Sequence, residues 1–481
     1  MKRALIALFL ITACALAQAV VCFSEEKANL SYDMTVEILE NEQAALIDTK
    51  VVYLNATGEN LSSVWFSAPF NVFRRESTLP YDNDTLEKAF PFGYAPGGGD
   101  IQGVYVNGEA ADWAVSGDNE AYIRVEADVK SGDTAEIRFV YTLLLSENRA
   151  FLGSGDTDWR FSGFYPALLV FEDGDFATNA LTRAGKSHYS DCADFQVRIS
   201  LPPDYDIACA GEKTAEKTQG GKTVSARISS AREFSFVISR KFHKKEEKAA
   251  SGVTVSAFGQ DRYRLSEICN WAKDAIDWFE KNIAPFPYAS FTISIADLAG
   301  ENLTSSGMAI LENTEITENE IVRMVALQYF SDRVHPNPGM EAWMTDGLSE
   351  YMSILCIRQM RGEKAYRELL NERLLPSIGI TIPGGLTPVS ETARFQTIAE
   401  YEAVVSLRGA AALHEIELAM GEEAFLDAVK YYYGAYSYLQ PTSDDFADAF
   451  EKASGRSWAD AIYHWLYTIG DYQGENLYEY D

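Results

Sequence analysis

Apolar and polar residues alternate with a period of two along the first half of the chain, from about residue 30 to 240. The alternation is clearest at the apolar residues Phe195, Val197, Ile199 and Leu201. Such a pattern is typical of strands with one buried face. Similar runs occupy residues 46–54, 137–141 and 234–238. The dipeptide Asn107-Gly108 predicts a hairpin turn, because both central residues of that turn need positive φ. This half therefore predicts a large antiparallel β-sandwich or saddle.

In the second half of the chain the apolar period changes to 3.6, which is typical of amphipathic helices. One helical face contains Leu265, Ile268, Ala272, Ile276 and Phe279. A strand is predicted over residues 291–295. Thr317-Glu318-Asn319-Glu320 is a capping box that predicts a helix to about Arg333. The same layout at residues 442–445 precedes a predicted helix over 446–453, and residues 340–481 are nearly all predicted helix.

A charged, weakly patterned stretch separates the two halves and predicts a linker at residues 241–252. The predicted fold class is multidomain α+β. An antiparallel β-sandwich or saddle at residues 28–240 is followed by an α/β-to-helical domain at residues 253–481. At about 150 residues per domain, a length of 481 residues allows about three domains.

The N-terminus resembles a secretory signal peptide. Met1-Lys2-Arg3 precedes an apolar run, and Ala17-Gln18-Ala19 offers a small-residue cleavage site. We expect a signal peptide at residues 1–22 and a secreted or extracytoplasmic surface protein. An uncleaved anchor and a lipoprotein attached through Cys14 are the alternatives, and in either case only the N-terminus would contact a membrane.

Composition excludes several classes of function. The formal charge of -30 disfavours binding to nucleic acid, because an acidic surface repels phosphate backbones. None of the six cysteines form a C-x-x-C pair, so a thiolate metal site is not indicated. The five histidines lie far apart, and a helical H-E-x-x-H zinc site is therefore absent. From the residues alone there is no catalytic constellation, and the oligomeric state stays open.

Four segments in order nevertheless resemble the aminopeptidase N family of zinc metallopeptidases. Ser306-Gly307-Met308-Ala309 resembles the family's G-x-M-E strand, and residues 323–330 resemble its H-E-x-x-H-Q-W-F helix. Residues 343–352 resemble the W-L-N-E-G-F helix that supplies the third zinc ligand, and residues 404–410 the stretch with the transition-state tyrosine. Eighteen residues separate Leu327 from Asp346, as in the family. The resemblance implies a thermolysin-like, mostly helical second domain.

The departures from the family's motifs imply that its zinc is lost and that no cofactor is bound. The three ligand positions carry Arg323, Leu327 and Asp346, whereas zinc needs two imidazoles and a carboxylate. The general base aligns with Met324, which cannot accept a proton. The amine-binding glutamate aligns with Ala309 and the transition-state tyrosine with Ser406. We also expect Gly307, Met308 and Tyr401 to line the old cleft.

Two functional hypotheses follow. In the first, the chain is a non-catalytic protein that binds a peptide or protein, and Arg323 forms an ion pair with Asp346 where the metal would lie. In the second, a peptidase survives with a displaced metal, or with a serine at position 305 or 306. The serine variant lacks a base, because nothing in the sequence brings His335 near either serine.

Overall fold

The computed structural model describes residues 29–467, apart from residues 118, 180, 301 and 379–383. The predicted signal peptide lies outside the described residues. In the part that is described, no helix is long and apolar enough to cross a membrane. Cys192, Cys209, Cys269 and Cys356 are free thiols.

The N-terminal domain is built from strands β1 to β18. Their bounds are β1 Leu30–Leu39, β2 Ala44–Leu54, β3 Leu61–Ser67, β4 Gly98–Val106, β5 Glu109–Ala110, β6 Trp113–Ser116, β7 Tyr122–Val129, β8 Thr134–Leu144, β9 Leu152–Ser154, β10 Trp159–Phe161, β11 Ala167–Leu168, β12 Phe171–Glu172, β13 Asp175–Phe176, β14 Ala193–Leu201, β15 Asp206–Cys209, β16 Glu212–Thr218, β17 Gly221–Ala231 and β18 Phe236–Ser239. One helix, α1 Asn83–Ala89, interrupts them.

These strands form a large sheet with smaller sheets beside it. The large sheet has the order β16-β17-β14-β1-β2-β8-β4-β5, and two four-stranded sheets have the orders β15-β18-β10-β9 and β11-β3-β7-β6. Neighbouring strands are antiparallel except for β1 and β14. Strand β14 alternates buried and half-buried residues, as its sequence predicts. Asn107 and Gly108, both with positive φ, join β4 to β5. The antiparallel β domain expected from the sequence is therefore confirmed.

A five-stranded sheet begins the second domain, in the order β19-β20-β21-β23-β22. Its strands are β19 His243–Lys248, β20 Thr254–Gly259, β21 Ser290–Ala296, β22 Leu303–Ser305 and β23 Met308–Glu312. The linker expected at residues 241–252 is wrong, because β19 lies within it and pairs antiparallel with β20. Its charged residues suit an exposed edge strand, where they discourage pairing with another chain.

The remainder of the second domain is helical. The α-helices are α2 Arg262–Asn282, α3 Glu318–Leu327, α4 Asp346–Arg361, α5 Glu363–Leu369, α6 Leu375–Ile378, α7 Ile398–Tyr401, α8 Gly409–Met420, α9 Glu422–Tyr436, α10 Ser443–Ser454 and α11 Ala459–Tyr467. Wider π-helical turns occupy Gln328–Arg333, Leu370–Leu374 and Glu402–Arg408, and 3₁₀ turns occupy Glu40–Glu42, Pro69–Arg74, Glu76–Thr78, Ala342–Met344 and Thr392–Arg394.

The predicted helix starts are confirmed. Thr317 and Glu320 form the capping box before α3, and Thr442 and Asp445 form the equivalent box before α10. In each box the threonine hydroxyl and the carboxylate satisfy amides that lack a partner in the first turn. The first box fixes where α3 begins, and α3 packs against α2 and α4.

The two domains are joined through a buried arginine. Arg232 follows β17 and is 1% exposed. Its side chain donates to the carbonyl oxygens of Asp332, at 3.1 Å, and Ser190, at 2.8 Å. Its backbone amide donates to Ser306 Oγ at 2.8 Å, and that hydroxyl donates to Asp332 Oδ1 at 2.7 Å. This network holds the end of the N-terminal domain against β22 and the turn after α3.

The backbones of α4 and α8 approach each other closely, and a substitution can test this contact. A Cβ atom at Gly347 in α4 would lie 3.0 Å from Gly409 Cα and 3.2 Å from the Val405 carbonyl oxygen. Neither backbone can move aside without moving its helix. We expect Gly347→Ala to lower the free energy of unfolding by about 1–3 kcal/mol, measured by urea denaturation.

Gly434→Ala is the matched control, because Gly434 lies in α9 with nothing within 4 Å of an added Cβ. Alanine there is expected to raise the free energy of unfolding by about 0.5–1 kcal/mol through helix propensity alone. Equal effects of the two substitutions would contradict the close packing of α4 on α8.

Candidate functional site

A cavity of about 400 Å³ lies between the two domains. The helical domain lines it with Arg323, Met324, Leu327, Asp346, Arg373, Glu402 and Ser406, among others. The N-terminal domain contributes Ser162, Lys186, His188 and Glu233. Five of the six positions where the sequence departs from the family's motifs therefore lie at one cavity.

Local structure explains why these side chains meet. Arg323 and Leu327 are four residues apart on α3 and so lie on one helical face. Asp346 is the first residue of α4, directly after the 3₁₀ turn Ala342–Met344. That turn is fixed by the buried Trp343, whose indole N–H donates to Ser443 Oγ at 3.0 Å. Ser406 comes from the π-helical turn before α8.

Arg323 and Asp346 form an ion pair at this cavity. Arg323 Nη2 donates to Asp346 Oδ1 at 2.9 Å. The two side chains are 24% and 13% exposed, so the pair is largely shielded from water. The other carboxylate oxygen of Asp346 accepts a hydrogen bond from the Tyr401 hydroxyl. Both oxygens of Asp346 are therefore engaged by protein groups.

The pair continues into a longer chain of alternating charges. Glu350, one turn after Asp346 on α4, places Oε2 3.3 Å from Arg323 Nε, an ionic contact without hydrogen-bond geometry. Its Oε1 accepts from Arg373 Nε at 2.6 Å, and Arg373 Nη2 donates to Glu402 Oε1 at 3.2 Å. We call these five residues the ion-pair chain: Asp346, Arg323, Glu350, Arg373 and Glu402.

Electrostatics keep both arginines charged. Burial alone would lower the pKa of Arg323, but the charges of Asp346 and Glu350 outweigh it and raise the pKa above its ordinary value. Burial likewise opposes the charge of Arg373, yet Glu350 and Glu402 raise its pKa. The Glu350 side chain is 0% exposed and lies between the two guanidinium groups. A carboxylate so buried needs such partners, since isolated buried charges are costly.

The structure differs from the sequence-based expectation at three residues. Gly307, Met308 and Tyr401 are not among the residues that line the cavity, and neither is Ala309. Met308 and Ala309 lie in β23, between β21 and β22 within the sheet, and both residues are 0% exposed. Tyr401 is 2% exposed, and its hydroxyl donates to Asp346. The edge strand β22 borders the cavity instead, through Leu303 and Thr304, the latter paired with Ala309.

The opposite wall carries a second pair of charges. Lys186 Nζ lies 3.4 Å from Glu233 Oε2, and the two side chains are 18% and 6% exposed. Nearby, His188 Nε2 lies 2.9 Å from both Ser190 Oγ and the Arg232 carbonyl oxygen. Burial lowers the pKa of His188, which favours a neutral imidazole. Sequence patterns gave no signal for Lys186 or Glu233, because each lies on an irregular segment between strands.

Among the residues that the structure describes, no three histidine, cysteine, aspartate or glutamate side chains lie close enough together to hold a metal ion. For the serine alternative, Ser305 and Ser306 are 3% and 1% exposed, and the Ser306 hydroxyl donates to Asp332. His335 is 1% exposed, and its Nδ1 lies 2.6 Å from the Ser331 carbonyl oxygen.

Part of the second domain is similar to known proteins. Residues 291–465 match the peptidase family M1 domain. Aminopeptidase 2, mitochondrial, of Saccharomyces cerevisiae is 24% identical over 185 residues, which is 37% of this chain and 19% of the yeast protein. The chain thus matches about a fifth of the length of that curated relative.

Solved structures resemble the chain over most of its length. The M1 zinc metallopeptidase of Deinococcus radiodurans superposes with a TM-score of 0.68 at 14% identity, covering 92% of this chain and 95% of that one. A mutant of it bound to a Tyr-Ser-Ala substrate gives the same TM-score at 15% identity, covering 92% and 96%. At this identity the similarity shows the fold, which is a two-domain arrangement of a β domain and a helical domain.

The ion-pair chain makes a prediction about stability. Arg323→Met would leave the carboxylates of Asp346 and Glu350 next to each other without the cation between them. We expect the free energy of unfolding to fall by about 3–5 kcal/mol, measured by urea denaturation at pH 7.

The matched control is Arg361→Met, which removes a guanidinium that is 44% exposed and bonded to Glu318. Its expected effect is below about 1 kcal/mol, because exposed pairs contribute little. A loss from Arg323→Met as small as that of the control would mean that the ion-pair chain does not hold the helices together.

Proposed function

We propose that this protein is a non-catalytic member of the M1 peptidase family that binds peptides or proteins and holds no zinc. The observation that carries the proposal is the Arg323 guanidinium, 2.9 Å from the single carboxylate at the aligned ligand positions. A cation fixed there repels a metal ion and takes its place beside Asp346.

The residues at the zinc position do not fit the metal. The nitrogen and oxygen atoms that bind zinc lie about 2.0–2.2 Å from the metal. A catalytic site usually supplies three protein side chains as ligands. Leu327 has no lone pair to donate, and Arg323 stays protonated. Asp346 uses one oxygen for Arg323 and the other for Tyr401. No reaction step is therefore assigned to a metal here.

The groups that would carry the family's chemistry are replaced as well. Met324 occupies the position of the general base and is 1% exposed at the cavity wall. Its thioether does not accept a proton at physiological pH. Ser406, at the position of the transition-state tyrosine, has a hydroxyl close to its own helix and reaches less far into the cavity.

A binding function remains compatible with the cavity. Its volume of about 400 Å³ lies within the usual range of small-molecule and peptide sites. The Deinococcus radiodurans relative binds a Tyr-Ser-Ala substrate, and we propose short peptides as the ligand class for this chain. With the N-terminal segment read as a signal peptide, the proposed location is secreted or on an extracytoplasmic surface.

Metal content tests this proposal. We expect the protein, purified without chelator and dialysed, to contain less than about 0.1 zinc per chain by elemental analysis, because too few ligands remain. The matched variant combines Arg323→His, Leu327→His and Asp346→Glu, which restores a two-histidine and one-glutamate ligand set.

That triple variant is expected to bind close to one zinc per chain if α3 and α4 keep the family's geometry. Asp346→Glu alone is the control and should stay as metal-free as the unmodified protein. Near-stoichiometric zinc in the unmodified protein after dialysis would contradict the proposal and point to a displaced metal site.

A further inference from the structure

His335 lies at the junction of the two domains, close to the buried Arg232. The backbone amide of His335 and Arg232 Nη2 share one acceptor, the Leu439 carbonyl oxygen, at 3.1 and 3.5 Å. The imidazole packs against the Tyr189 ring of the N-terminal domain, with the ring centroids 5.5 Å apart. The junction thus brings a histidine of the helical domain up to a cation and an aromatic ring of the N-terminal domain.

The two ring nitrogens of His335 differ in their surroundings. Nδ1 lies 2.6 Å from the Ser331 carbonyl oxygen, so it carries a proton and donates. Nε2 is buried and has no hydrogen-bond partner within the part of the chain that the structure describes. A second proton on the ring would therefore place a charged, unpaired N–H in the interior, and burying such a group is costly.

The cations around His335 also oppose its protonation. Burial lowers the pKa of the imidazole well below its ordinary value, and the positive charges of Arg232 and Lys186 lower it further. His188 has the same effect when it is charged. The imidazole is therefore neutral while the junction is closed.

The acidic groups on the segments around His335 are engaged by other residues. Each carboxylate has its own donor or cation: Asp332 has Ser306 and Tyr288, Glu172 has Tyr189 and Asn337, Asp191 has Gln440, and Glu233 has Lys186. Arg333, in the same turn as Asp332, is a further cation. A protonated imidazole would gain a partner, water, only when the junction opens.

We propose that His335 is an acid-sensitive latch between the domains, and that its protonation opens the junction and with it the cavity. This inference does not depend on which ligand the cavity binds. The open state takes up the proton, so the closed state prevails above about pH 6.5, the ordinary pKa of the imidazole. Below that pH the ratio of closed to open molecules falls about tenfold per pH unit.

Hydrogen exchange measures this opening directly. The backbone amides of Arg232 and Glu233 donate to Ser306 Oγ across the junction, at 2.8 and 3.2 Å, so they exchange when the junction opens. Amides that pair β2 with β8 lie within the N-terminal domain and serve as the reference. We expect the protection factors of the two junction amides to fall at least about tenfold per pH unit, relative to this reference, below pH 6.5.

Two variants identify the group that takes up the proton. His335→Gln keeps an N–H that can donate to the Ser331 carbonyl oxygen but cannot be protonated, so the fall should be smaller by about tenfold per pH unit. His414→Gln is the matched control, because His414 is also 0% exposed but contacts Tyr351 inside the helical domain. The control should leave the fall in protection of the junction amides unchanged.

The outcomes decide the proposal even where a variant does not fold. Equal pH dependence of the junction amides in the unmodified protein and in His335→Gln overturns the latch, as does constant protection in the unmodified protein down to about pH 4.5. If His335→Gln does not fold, NMR of the unmodified protein with labelled histidines decides. A His335 ring that stays neutral until the junction amides lose protection supports the latch, and a ring that titrates near its ordinary pKa while they stay protected overturns it.

Discussion

The ion pair between Arg323 and Asp346 is the contact on which the geometry around the cavity depends. It joins α3 to the start of α4, and through Glu350 it reaches Arg373 and the turn that contains Glu402. Charges this well shielded are tolerated only when each is paired, because desolvation of an unpaired ion costs several kcal/mol. The alternation of negative and positive groups meets that condition along the whole ion-pair chain.

Because of this dependence, the differences from the family's motifs at this site depend on one another. With a histidine at position 323, Glu350 would be left facing Arg373 alone, and the space beside Asp346 would need another cation. Arg323 satisfies both carboxylates at once, and Tyr401 takes the remaining oxygen of Asp346. In the proposed function, a protein cation thus ties the two helices together, with no open coordination position for chemistry.

Much of the fold could be predicted from the sequence because its signals are local. The alternation in β14, the turn at Asn107-Gly108 and the capping box at Thr317 each depend on neighbours within a few residues, and all three are present in the structure. The charged segment 241–252 was wrongly expected to be a linker, because an edge strand and a linker share the same polar composition. The antiparallel pairing of β19 with β20 shows that the segment contains a strand.

The candidate site could be predicted only in part. Arg323 and Asp346 lie on two recognisable motifs at a fixed spacing, so their proximity followed from the resemblance. Arg373, Glu402, Lys186 and Glu233 carry no pattern and meet only through the tertiary fold. Met308 was expected at the cleft, but strand order, which the sequence does not encode locally, places it in β23, one strand inside the edge.

The central claim is that Arg323 occupies the place of the metal, and anomalous diffraction from crystals grown with excess zinc tests it most directly. The account predicts no zinc peak within about 2.2 Å of the Asp346 carboxylate, and electron density that joins Arg323 to Asp346 as an ion pair. A zinc peak at that carboxylate, with the guanidinium turned away into the cavity, would contradict it.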